Sequence, residues 1–185
     1  MLTVGMLIKK AMKGNLDLIG PATAVGEELL DVPSFDVPDF TEPLSEEKSI
    51  LKNIKKVFLM IAGAGVQKYG TDLEKHQQLL LAVSDILIEI YLVESAILRT
   101  EKNINRIGLD KQDMQLAMTK LYLFKAVEKI QSKGKEAIIS SSEGDEQKML
   151  LMGLKRFTKY VNHPNVIGLR EQVADKIIAE NQYCF

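Results

Sequence analysis

The sequence predicts an all-α fold: an up-down four-helix bundle with an extra C-terminal helix, preceded by a helical arm and a Pro-rich strap. Three observations carry this. Every long segment beyond residue 44 repeats its apolar residues at helical spacing. No run of alternating β-branched residues and no Asn-Gly hairpin turn occurs. The long helical segments are joined by connections of a few residues, which makes neighbours antiparallel.

The arm comes first. In "MLTVGMLIKKAMKGN", Val4, Leu7, Ile8 and Ala11 form one face, and Lys9, Lys10 and Lys13 the other. No Ser, Thr, Asp or Asn precedes this helix as a cap. "GPATAVGEELL" reads as a second short helix with Pro21 in its first turn. Residues 1–30 make the arm. Residues 31–44 follow as an acidic linker, in which Pro33, Pro38 and Pro43 remove amide donors and disfavour helix. Phe35 and Phe40 alternate with acids there, as rings that a strap pins to a neighbouring surface.

Residues 45–185 make the bundle. Ser45, Glu46 and Glu47 open its first helix, which stops at Gly70. Thr71 and Glu74 form a capping box that starts the second, running to about Arg106. Ile90 and Leu92 are both expected inside, because that helix is apolar almost all round. The third runs from about Lys111 to Ser140, the fourth from Asp145 to about Val161, and "SSSEG" is the loop between them. Asn162 and Pro164 then break the pattern, and a fifth helix runs to about Asn181.

Composition excludes several functions. The formal net charge is −1, with no strong basic field, so nucleic acid is not an expected partner. Acids concentrate between Glu27 and Glu47, which hold eight and no Lys or Arg. Cys184 is the only cysteine, so no internal disulfide forms, and a cytoplasmic, reducing compartment is expected. The longest uncharged apolar stretch, Val57 to Gln67, has 11 residues and is too short to span a bilayer.

Candidate sites are mostly refused. Gly63, Gly65 and Gly70 lack the spacing and strand–helix context of a dinucleotide fingerprint; small residues from Ala62 to Gly65 instead admit a neighbouring helix. Asp85 and Glu89 share a helix face, with Glu94 beyond them. A di-iron site also requires Glu-x-x-His pairs, and neither His76 nor His163 has Glu three residues before it. Buried acids here must therefore be paired, by Lys or Arg from the first and third bundle helices or by Arg99. Met114, Met118, Met149 and Met152 read as core filler. Ser140, Ser141 and Ser142 have no His partner in sequence. "LKRFTKY" reads as a basic turn facing water, with membrane contact as the rarer case. No catalytic, cofactor-binding or metal-binding residue is assigned.

Taken in order, "LTVGMLIKKAMKG", the acidic strap, "EEKSILKNIKKVFLMIAGAGVQKYG", "VSDILIEIYLVESAILRTEK" and "FTKYVNHPNVIGLREQVADKIIAENQY" resemble the C-terminal region of bacterial acyl-CoA dehydrogenases. The similarity is to the very-long-chain-like class, which carries an extra helical domain after the catalytic body. The resemblance implies a C-terminal fragment, since the family's Glu-Gly-Thr motif, with the catalytic base and flavin contacts, would lie just upstream. It implies an FAD enzyme of fatty acid β-oxidation as parent, the catalytic body as partner, a homo-oligomer, and an electron-transferring flavoprotein as acceptor. This chain alone would be inactive and would bind no cofactor. The apolar stripe of residues 1–14, parted from that body, would either fray or pair with a second copy, and weak, non-physiological self-association through this segment is the expectation. A free-standing helical interaction module is the competing expectation.

Overall fold

The computed structural model describes residues 2–31 and 40–182. Pro33, Phe35, Pro38 and Cys184 lie outside the described residues. Seven helices are seen among those described: α1 (Leu2–Met12), α2 (Ile19–Leu30), α3 (Ser45–Tyr69), α4 (Gln77–Ile107), α5 (Asp113–Ser141), α6 (Gly144–Phe157) and α7 (Val166–Glu180), and no strand accompanies them.

Helices α3 and α5 each pack against both α4 and α6, and these four enclose the core. Ile54, Val57, Ile61, Ile86, Val93, Ile97, Leu123, Ile130 and Ile138 are its most deeply buried side chains. Each contributes on the order of 1.5–3 kcal/mol from apolar burial. The extra helix α7 lies along α5 and buries no residue completely.

The arm is seated on this bundle. Val4, Ile8 and Ala11 are buried, and α1 packs on α4, with Lys9 paired to Glu74 at 2.8 Å. The stripe expected to lack a surface thus has one within the same chain. An isolated helix of 11 residues is marginal in water, and this packing is what holds it. Helix α2 lies on α3, where Gly63 meets Ala22 at 3.5 Å from its ideal Cβ position. The small residues therefore do admit a neighbour, as their size suggests. At the far end of α2, Gly153 of α6 leaves room for Leu29; a Cβ there would stand 2.4 Å from Leu29 Cδ2 and 2.7 Å from Met60 Sδ.

Several boundaries differ from the sequence expectation. Thr71 and Glu74 do not cap α4; Gly70–Lys75 is a 3-10 turn that drives Leu73 into the core beneath Gly65. Helix α4 begins only after His76, whose ring stacks on Tyr69 at 3.7 Å. Leu109–Lys111 is a second 3-10 turn, entered through Gly108 at φ 91, a conformation that stops α4 and suits glycine. Ser141, expected in the loop, is the last residue of α5, and its hydroxyl, like that of Ser140, donates to the carbonyl four residues back. Helix α6 ends at Phe157, short of Val161, where Thr158 Oγ1 donates to the Leu154 carbonyl and accepts from Gln131. Asn165 caps α7 by accepting from the Gly168 amide at 3.1 Å.

Candidate functional site

Helix α4 carries the acids singled out in the sequence, and its neighbours determine what they do. Glu89 is 7 % exposed. Its Oε2 accepts from Tyr122 Oη at 2.9 Å and its Oε1 from Lys129 Nζ at 2.6 Å, both on α5. Burial, reinforced by Glu89, pushes the Tyr122 phenol up to about 12. The hydrogen bond to Glu89 also raises the Lys129 ammonium. Glu94 is half-buried and pairs with Lys55 of α3 at 2.6 Å. Asp85 is half-buried, and its field reaches Lys129 and Lys133. Partners thus come from α3 and α5, the first and third bundle helices, while Arg99 takes no part. Both carboxylate oxygens of Glu89 are thus taken by donors from α5. Farther along the same seam, Thr100 and Thr119 share a buried hydrogen bond of 2.8 Å.

The basic turn is not simply a solvated face. Arg156 is half-buried and donates to the carbonyls of Glu28 and Asp31 at 2.9 and 3.2 Å. Lys56 pairs with Glu28 at 2.6 Å. A cation at the C-terminal end of α2 complements its dipole and fixes the arm to α6. Only Lys155 and Lys159 point to water. The methionines also depart from expectation. Met114, Met118 and Met149 are half-buried and Met152 is 72 % exposed, whereas Met60 is in the core. Ser142 spends its hydroxyl on the Ile138 carbonyl. His163 lies against Tyr160 at 5.6 Å. No group of three or more potential metal ligands occurs among the described residues.

Two hollows remain. A recess of about 230 Å³ lies between α3, α5 and the loop before α7, lined by Glu46, Glu47, Lys120, Tyr160 and His163 among others. Tyr160 Oη is buried there without a partner, and burial, then Glu47, raises its phenol. The larger hollow, about 610 Å³, lies between the arm and α3 and is mainly apolar, with Met12, Leu30 and Met149 in its walls. Its charged lining residues are Glu27 and Glu146, with no Lys or Arg. A flavin dinucleotide requires cations or amide donors for its pyrophosphate, and this acid-rimmed groove supplies the wrong charge. The residues present do not fit that group.

The outer face of α4 was missed by sequence reasoning. Ile88, Tyr91 and Leu98 are 52 %, 69 % and 56 % exposed, and Leu81 and Leu92 are exposed beside them. Leu92 was expected inside with Ile90, and only Ile90 is buried. The signal was present as a spacing of four and three from Leu81 to Leu92, which marks a second seam on the helix.

Fold and side-chain chemistry define a helical packing domain. Comparison with known proteins gives its class: residues 53–156 match the model of the family described as "Acyl-CoA dehydrogenase, C-terminal domain". The chain belongs to this family. It is 36 % identical over 180 residues to a Bacillus subtilis (strain 168) protein named "Probable acyl-CoA dehydrogenase", covering 95 % of this chain and 29 % of that protein. It also superposes on a crystal structure of acyl-CoA dehydrogenase complexed with FAD from Bacillus anthracis, with a TM-score of 0.88 and 36 % identity, over 98 % of this chain and 30 % of that one. The chain therefore spans under a third of the length of these relatives. Among the described residues no helix is long and apolar enough to cross a membrane.

Proposed function

We propose that this chain is a non-catalytic, interface-making helical domain of an FAD-dependent acyl-CoA dehydrogenase acting in fatty acid β-oxidation. The observation that carries the reading is the state of its acids. Glu89, buried, and Glu94, half-buried on the same helix, are both consumed in pairs that bind helix to helix. An acyl-CoA dehydrogenase needs a carboxylate free to take a proton beside a flavin. No residue of this chain is assigned that role, nor one in cofactor or metal binding. FAD belongs to the remainder of the longer enzyme, in line with the FAD-complexed relative of which this chain covers 30 %.

In this reading residues 1–30 are the arm, continuous with the catalytic body, 31–44 the acidic linker, and 45–185 the bundle domain. The body of the same polypeptide is one partner. A second copy is another, and an electron-transferring flavoprotein accepts electrons from the intact enzyme. The location is the cytoplasm, consistent with a single cysteine. The test is direct: purify the chain with added FAD and record its visible spectrum and its acyl-CoA-dependent dye reduction. A colourless, inactive protein is expected. A stoichiometric flavin band or turnover overturns the reading.

A further inference from the structure

The smaller recess holds polar groups that the fold leaves unspent. It opens between the first turn of α3, the side of α5 that carries Lys120, and the residues joining α6 to α7. Glu46 is spent there: its oxygens accept from the Asn162 backbone amide at 2.7 Å and from Asn162 Nδ2 at 3.2 Å. Asn165 Oδ1 is spent on capping α7. Glu47 and Tyr160 are each 8 % exposed, and neither is spent. Among the described residues no group donates a hydrogen bond to the Glu47 carboxylate, and Lys120 Nζ stands off at 3.7 Å. Tyr160 Oη is buried with no partner, and it lies in the field of Glu47 and then of Glu46.

A buried carboxylate and a buried hydroxyl without hydrogen bonds are each costly. The N-terminal end of α3 favours the charge on Glu47, but a helix dipole is no substitute for a donor. Chemistry says what would complete the pair. An anion is repelled, because Glu46 and Glu47 outweigh Lys120. A neutral apolar molecule would leave both groups as they are. One water takes up about 30 Å³ of liquid volume, and the recess measures about 230 Å³. The group that fits is a cation with several donors on an apolar stem. A guanidinium presents a planar fork of N–H donors that reaches two carboxylate oxygens and a hydroxyl at once. It is also more weakly hydrated than an ammonium, so its burial is less costly. Ile50, Leu123 and Leu169 supply a wall for the stem.

We propose that this recess binds an alkylguanidinium group, held by the Glu47 carboxylate and the Tyr160 hydroxyl, with Lys120 competing for Glu47. A free alkylguanidine and an arginine side chain from the remainder of a longer polypeptide present this same group, and the test separates them.

Isothermal titration calorimetry adds n-propylguanidinium to the chain, with the neutral, similarly shaped N-propylurea as control. The same titrations are made on Glu47→Gln, Tyr160→Phe and Lys120→Met, each checked for helicity by circular dichroism. The guanidinium should saturate the chain at millimolar concentration, and the urea should not bind. Glu47→Gln should weaken binding roughly tenfold and Tyr160→Phe roughly threefold. Lys120→Met should tighten it roughly threefold, because the competing cation is gone. A merely structural Lys120 gives no such gain. Lys120 is exposed, so its variant carries the test if Glu47→Gln fails to fold. No binding, equal binding of the urea, or an affinity unmoved by Lys120→Met and Tyr160→Phe overturns the site and leaves the recess to water. The titration is then repeated on the longer enzyme, and this arm alone rests on the reading proposed above. Binding retained there assigns the site to a free ligand. Binding lost, with Glu47→Gln destabilising the longer enzyme more than this chain, assigns it to an arginine of that polypeptide. Binding lost without that extra destabilisation overturns the proposal.

Discussion

The two faces of α4 are both rich in large apolar residues and live in different places. Facing in are Val83, Ile86, Ile90, Val93 and Ile97, all buried. Facing out are Leu81, Ile88, Tyr91, Leu92 and Leu98, all exposed. The inner face also holds the polar groups that specify register: Glu89 with Tyr122 and Lys129, and Thr100 with Thr119. The outer face has only Asp85, Ser95 and Arg99 to specify anything. Apolar content alone thus did not decide which face joins the core. Polar groups with a matching partner across a seam align one helix on another, since an unmatched buried donor or acceptor is costly.

The sharpest break of this comparison is Ile90→Ala. It opens a cavity in the inner seam and should cost about 2–5 kcal/mol in urea unfolding. A loss comparable to that of a surface change would mean that the inner face is not the core. Next comes Thr100→Val, which keeps the shape but leaves the Thr119 hydroxyl buried and alone. Destabilisation of about 1–3 kcal/mol is expected, and restoration by adding Thr119→Val would confirm that the loss lies in the unpaired group.

Tyr122→Phe probes the polar inner seam through pH. The Tyr122 phenol is raised from 10.0 to about 12 in the folded state, so folding favours its protonated form. Its contribution is fully present below pH 10 and is lost as pH rises through about 12. Lys129, also raised, acts in the same direction. Denaturation midpoints should therefore fall with alkaline pH in the unaltered chain and fall less steeply in Tyr122→Phe. Equal slopes would remove the Tyr122–Glu89 bond from the account. The smallest effect belongs to Leu92→Ala. In the dilute monomer it should change stability by less than about 0.5 kcal/mol, as exposed positions do. A larger loss would place Leu92 in the core and erase the difference between the faces.

Much of the architecture was legible in the residues themselves. Helical spacing and Gly70 as the stop of α3 are local properties, and each acts within a turn or two of its own position. The pairing of the acids was legible as a requirement, because a carboxylate on an apolar helix must find a donor; Lys55 and Lys129 as the donors were not. Thr71 and Glu74 show the limit from the other side. Their spacing suits a capping box, yet burying Leu73 in a 3-10 turn prevailed.

What the sequence determined by itself was the class: helices, their order, and carboxylates that had to be neutralised by partners. Tertiary structure decided three things. It seated the arm on α4 and α3, where Arg156 holds the end of α2 across 128 positions of sequence. It sent Ile90 inward and Leu92 outward. It also left one apolar seam of α4 exposed among the described residues. The physical reason is common to all three. Periodicity is written within one helix, whereas burial depends on which other helix arrives at that face, and that choice is made by residues far away in the chain.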